Sequence, residues 1–147
     1  MCNTYLTKRG YVIKKNELTE EKIKEIKEEL TVKPAVSTDF GAVSNPFPIY
    51  LESKNKLYLP KFYGIEKFGN PEVNKVPPGD TIDVKFKFDI RPNQELPVKR
   101  CMEAYQKVGG GILSLSCGQG KTIIGLYLIS QLKKKTLVIV HKEFLLN

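Results

Sequence analysis

Sulfur and imidazole are scarce in this chain. Its 147 residues include three cysteines and one histidine. Cys2, Cys101 and Cys117 are far apart and odd in number, so they form neither a disulfide framework nor a metal-ligand spacing, and a reducing, intracellular setting is expected. His141 has no second histidine, cysteine or carboxylate cluster near it in sequence, which leaves catalysis or metal binding through imidazole without support. No apolar run approaches the ~20 residues of a membrane-spanning helix. The N-terminus lacks the apolar core of a signal segment, and no membrane partner is expected. Acidic residues are also in deficit, 16 against 24 lysines and arginines, for a net charge of +8. That balance favours a polyanionic partner such as nucleic acid, although lysine-rich surfaces also simply keep a protein soluble.

What the chain does have is one stretch built for phosphate, Ser114-Leu115-Ser116-Cys117-Gly118-Gln119-Gly120-Lys121-Thr122. Gly111-Ile112-Leu113 before it is apolar and short, as a buried strand would be. Ile123, Ile124, Leu126, Tyr127 and Leu132 after it recur at spacings that suit a buried helix. Strand, tight glycine turn and helix is the context that a phosphate-binding loop requires. Gly118 and Gly120 let the backbone turn sharply and bring its N–H groups against phosphate oxygens. The helix N-terminus adds free N–H groups and the positive end of a dipole. Lys121 is placed to reach the β- and γ-phosphates, and the Thr122 hydroxyl to ligate Mg²⁺. Cys117 and Gln119 complete the loop as small or polar spacers. The pattern departs from G-x-x-x-x-G-K-[ST] at its first position, where Leu115 stands. The plainer reading, a glycine turn with a solvated lysine and threonine, loses weight because the strand and helix stand on either side.

The rest of the chain divides by composition. Tyr5 to Lys15 is basic with scattered apolar positions, an extended lead-in. Thr19 is placed to cap a helix whose first turn carries Glu20 and Glu21, with Leu18 and Ile23 spaced as a hydrophobic staple. Ile23, Ile26 and Leu30 form its apolar stripe, and Pro34 stops it nearby. Val32 to Pro78 is irregular, with a hairpin expected from strands at 47–51 and 56–60 around Glu52-Ser53-Lys54-Asn55. Phe47, Tyr50, Tyr58, Phe62, Tyr63 and Phe68 crowd this region. Interleaved with Lys54, Lys56, Lys61 and Lys67 they could stack nucleobases, but burial in a small core is the favoured reading.

Pro77-Pro78-Gly79-Asp80 is a turn, and the domain boundary is set there, giving an α+β extension over 1–79 and a second domain over 80–147. Alternation of Ile82, Val84, Phe86, Phe88 and Ile90 with polar residues predicts a strand with one face buried. Pro97 predicts the first turn of a helix whose apolar face is Val98, Cys101, Met102 and Tyr105, closed by Gly109-Gly110-Gly111. Thr136 to Val140 predicts a second apolar strand, so that strand, loop helix and strand form a βαβ unit with a parallel sheet. Such a sheet needs more strands than these, and no acidic motif follows to hold Mg²⁺ and orient water. The expectation is the first part of a longer nucleotidase that binds nucleotide weakly and does not turn it over.

Three stretches together resemble the superfamily 2 helicases and translocases, DEAD/DEAH-like enzymes of large DNA viruses among them. Ile90-Arg91-Pro92-Asn93-Gln94 resembles the adenine-sensing Q motif, with Asn93 where an aromatic is usual, and implies an adenine contact for Gln94. Ser116 to Thr122 looks like motif I, whose first position is often not glycine, and implies the phosphate and Mg²⁺ roles for Lys121 and Thr122. Thr136 to Asn147 is similar to motif Ia, which touches the nucleic-acid backbone, and implies that contact for His141 and Lys142. The family usually has proline where His141 stands.

Covering Phe86 to Asn147, the resemblance implies a partial RecA-like lobe and an enzyme using ATP and Mg²⁺ on nucleic acid, DNA ahead of RNA. It also implies the remaining RecA-like lobes as partners, and a host cytoplasm, nucleus or virion location if the source is viral. The competing readings are a phosphate-loop kinase or other nucleotidase, and a partner-binding module with a vestigial nucleotide site.

Overall fold

The computed structural model describes residues 4–34 and 45–140, and these fall into two units, Met1–Pro78 and Gly79–Asn147. In the first unit, β1 (Thr4–Thr7) and β2 (Gly10–Lys14) form an antiparallel hairpin. The lead-in of the sequence reading is therefore two central strands. Thr7 Oγ1 accepts from the Arg9 N–H at 3.1 Å, and Gly10 takes φ +104°. A Cβ at Gly10 would fall 2.2 Å from the Leu59 carbonyl oxygen, so the turn needs glycine there for space as well as for conformation.

Helix α1 (Glu20–Glu29) starts at Thr19, whose Oγ1 accepts from the Lys22 N–H at 3.2 Å. Short β3 (Thr31–Val32) pairs antiparallel with β4 (Phe47–Pro48), while β5 (Leu51–Glu52) pairs antiparallel with β6 (Lys56–Leu59). The expected 47–51 strand is thus split between two sheets. Pro48 has no N–H for a central ladder, and the Ile49 N–H turns away to the Leu30 carbonyl at 2.8 Å. After α2 (Lys61–Phe68), β7 (Val73–Asn74) adds parallel to β1, giving a five-stranded sheet in the order β5-β6-β2-β1-β7.

Alternation decides what each face does. Leu6, Tyr11, Ile13, Leu57 and Leu59 point to one face and are buried with Ile26 and Leu30 of α1. Helix α2 packs on the same side, where a Cβ at Gly64 would fall 2.2 Å from Tyr11 Cγ. Of the aromatics expected in a core, Tyr50, Tyr63 and Phe68 do pack against this cluster, whereas Phe47 and Phe62 are exposed. Tyr58 points to the other face, since its partner in the ladder is Val12.

The second unit contains α3 (Pro92–Val108) and α4 (Lys121–Leu132), which pack together with Val98 and Ile124 buried. Helix α3 begins five residues before the expected start at Pro97. Pro92 takes the first helical position, where a missing N–H costs nothing, and Pro97 forgoes only the bond to the Asn93 carbonyl.

The three predicted strands at 82–90, 111–113 and 136–140 form no ladder, so the expected parallel sheet is not present among the described residues. One antiparallel bridge, Thr81 to Lys134, joins their neighbourhood. None of the three has a partner strand among the described residues, and an isolated extended segment has no ladder to hold it. Much of the apolar surface of the last two stays in water: Ile112 is 97% and Ile139 84% exposed. The alternating 82–90 segment instead lies along α4, with Phe86 edge-on to Tyr127 at 5.3 Å between ring centroids. No helix among the described residues is long and apolar enough to cross a membrane.

Candidate nucleotide-binding site

The stretch from Ser116 to Thr122 folds as a turn that runs straight into α4. Gly118 and Gly120 both adopt left-handed conformations, φ +78° and +79°. Gly120 is the N-cap residue of α4 and has no side chain to satisfy the helix's first N–H groups. Those groups and the dipole end therefore face outward at the turn, as an anion site requires. The space beside Gly118 is open, with nothing within 4 Å of where a Cβ would lie. Cys117 is exposed and its thiol is free.

Lys121 folds back over the loop. Its Nζ donates to the carbonyl oxygens of Leu115 at 2.8 Å and Ser116 at 2.9 Å. An ammonium held by neutral carbonyls is under-compensated, and phosphate oxygens at the same point would bind it more strongly. Thr122 is exposed at the second position of α4, next to the loop.

No cluster of histidine, cysteine or carboxylate ligands exists among the described residues. Mg²⁺ needs no such cluster, since this ion keeps waters and takes substrate phosphates plus one or two protein oxygens. Thr122 would supply one such oxygen, and the ion would neutralise charge on the phosphates when bound.

Gln94, picked from sequence as an adenine contact, is 97% buried, with 3% of its surface exposed. Its Oε1 accepts from the Arg91 N–H at 2.9 Å, tying down the first turn of α3. That bond requires an acceptor, so it fixes which end of the amide is oxygen. The Nε2 end then donates to the Gln119 carbonyl at 3.4 Å, inside the loop. A side chain at residue 120 would collide with it, because a Cβ at Gly120 would fall 2.1 Å from Gln94 Nε2.

A second tie was not read from the sequence. Asn93 Nδ2 donates to Gln119 Oε1 at 3.2 Å. An amide residue beside Gln94 in the first turn of a helix was the available signal. Gln94, Asn93, Gln119, Gly120 and Lys121 are thus brought together, while His141 and Lys142 lie outside the described residues.

Residues 87–147 match the family model described as "Type III restriction enzyme, res subunit". Over 147 aligned residues and 97% of its length, the chain is 36% identical to "Putative ATP-dependent RNA helicase L396" of Acanthamoeba polyphaga mimivirus. Over 77 residues and 52% of its length, it is 36% identical to "Putative helicase 161L" of Invertebrate iridescent virus 6. The chain spans 28% of the first relative and 17% of the second. No solved structure matches it at a significant level. The sequence is helicase-like and homologous to proteins of large DNA viruses.

Proposed function

We propose that residues 80–147 are the ATP-binding start of a RecA-like lobe in a nucleic-acid-dependent ATPase, a helicase or translocase, and that residues 1–79 are an accessory extension. Cys117, Gly118, Gln119 and Gly120 wrap the phosphates, Lys121 pairs with the β- and γ-phosphates, and Thr122 carries the Mg²⁺. Gln94 reads adenine with the amide that otherwise spans Arg91 and Gln119. His141 and Lys142 touch the nucleic-acid backbone after the last apolar segment. Hydrolysis and movement belong to the whole protein, with further lobes closing over the nucleotide. The names of the relatives support the helicase class over a small-molecule kinase. One of them is named an RNA helicase, so the preference for DNA is not kept and the strand is left as either nucleic acid.

The single observation that carries this reading is the folded lysine: Lys121 Nζ lies on the carbonyls of a loop wound by two left-handed glycines. Titration with a fluorescent ATP analogue in Mg²⁺ tests it. Lys121→Ala should weaken binding about tenfold or more, because a charged hydrogen-bonding partner of phosphate contributes roughly 1.5–3 kcal/mol. Chelating the metal should weaken binding of the unmodified chain and change little in Thr122→Ala. Equal affinity of the Lys121→Ala and unmodified chains would remove the site.

A further inference from the structure

The face of the five-stranded sheet opposite the core has a composition of its own. By register, Leu51, Tyr58, Val12, Tyr5 and Val73 form one row across all five strands. Val12 is fully buried at the centre of that row, and the two tyrosines flank it on strands about 10 Å apart, two strand spacings. Cations surround them. The Arg9 guanidinium lies over the Tyr58 ring at 5.6 Å, and the Lys75 and Lys56 ammonium groups lie 4.6 and 5.7 Å from the Tyr5 centroid. Lys14 pairs with Lys56 on the same face.

Helix α1, whose Ile26 and C-cap Leu30 are buried against the other face, is mixed in charge, with Glu20, Glu21, Glu25, Glu28 and Glu29 beside Lys22, Lys24 and Lys27. No strand position that shares a face with the tyrosines is acidic. Both helices of this unit pack on that other face, leaving the tyrosine face without a helical layer.

From this we infer that the outer face of the sheet is a single-stranded nucleic-acid platform, separate from the nucleotide site. Bases stack on Tyr5 and Tyr58, and Arg9, Lys56 and Lys75 take the flanking phosphates. Exposed cation–π pairs are weak, so an incoming base can displace the cations from the rings, and a phosphate can hold them beside it. An acidic peptide would use the cations but leave the rings idle. An anionic membrane would call for a cluster of protruding aliphatic groups, and here only Leu51 at the edge of the row is largely exposed while the central Val12 is buried.

The test is fluorescence polarisation of a labelled single-stranded oligothymidylate or oligouridylate, read on the full chain without nucleotide. Tyr5→Leu with Tyr58→Leu should weaken binding about tenfold per ring, while the two Tyr→Phe changes should retain it. Arg9→Gln, Lys56→Gln and Lys75→Gln together should lower the slope of log affinity against log salt by about two, as three lost phosphate contacts predict. Lys121→Ala should bind the oligonucleotide as the unmodified chain does, so a failure here is distinct from a failure of the ATP site. Arg9→Gln with Lys75→Gln changes only exposed side chains, in the β1–β2 turn and just after β7, and it keeps the test valid if the leucine variants melt early. Unchanged affinity in either the tyrosine or the cation variants would overturn the platform. So would equal affinity for polyglutamate or for phosphatidylserine vesicles.

Discussion

Gly118 and Gly120 share a conformation but not a neighbourhood. At both, φ lies near +80°, where an L side chain costs roughly 1 kcal/mol or more. Around Gly118 that is the whole cost, since nothing lies near an added Cβ. At Gly120 the methyl would also meet the buried Gln94 amide, held at both ends. Gly118→Ala is therefore expected to lower stability by about 1 kcal/mol, and Gly120→Ala by roughly 2–3 kcal/mol, with the loop displaced. Urea unfolding of the two variants measures this, and equal losses would contradict the contact. In sequence the two glycines read alike, because spacing reports a turn and not what packs behind it.

Also at this scale, Glu29 accepts from the Tyr63 hydroxyl at 2.6 Å and from Lys67 Nζ at 2.9 Å. Those bonds, Tyr63 first, hold its carboxyl below the usual range. A carboxylate with a lowered folded value stabilises fully above its unfolded value and loses that contribution as pH falls through the folded one. Glu52 is lowered in the same way by Lys15 and then Lys27. The melting temperature should thus fall on acidification from about pH 5 downward, the region where free carboxylates titrate. Glu29→Gln should flatten part of that fall. Tyr63 adds the opposite limb, because burial and then Glu29 raise its hydroxyl value. Its contribution is present at neutral pH and is lost only as pH rises past the ordinary tyrosine range. A fall on acidification that is identical in Glu29→Gln and the unmodified chain would show that the cluster carries no linkage.

Among the elements, α1 was the most legible, because its cap, first-turn acids and apolar stripe all follow local rules that no distant contact overrides. The β1–β2 hairpin was not, because Tyr5-Leu6 and Tyr11-Val12-Ile13 break the alternation: Val12 is apolar on the outer face, between the two tyrosines in register. Periodicity also overstated residues 82–90. It identifies an apolar face but cannot say whether a partner strand is there to pair with.

Helix α3 shows the same division. Its existence was plain, but its start was set by Gln94 acting on the Arg91 N–H, and Pro97 pointed to a later turn. Gln94→Ala should accordingly cost about 1–2 kcal/mol, leaving one first-turn donor unpaired and one loop carbonyl without its amide. If Gln94 also reads adenine, the same change should weaken ATP more than GTP. Stability lost with no nucleotide discrimination would reduce Gln94 to a cap and brace.

Across the whole chain, backbone pairing is uneven, and amide exchange should display it. Strand β2 has a hydrogen-bonded neighbour on each side, β1 and β6, and its apolar residues are fully or nearly buried. Residues 111–115 and 136–140 are as apolar but have no ladder, so their N–H groups face water or irregular contacts. Opening free energy sets exchange, so β2 amides should exchange on the order of a thousandfold or more slower than those of Ile112 and Ile139. ATP with Mg²⁺ should add protection at residues 116–124 and leave β2 unchanged, since the ligand orders only the turn it binds.

The unpaired segments carry a further consequence. Largely exposed and without charge, and in 136–140 rich in β-branched residues, they offer edges that another chain can join. Protection at 136–140 that rises with protein concentration would show copies pairing there, and polarised or light-scattering mass should rise with it. Slow exchange at those residues in dilute protein, with no change in mass, would mean that the segments are already paired within one chain and would contradict their lack of a ladder.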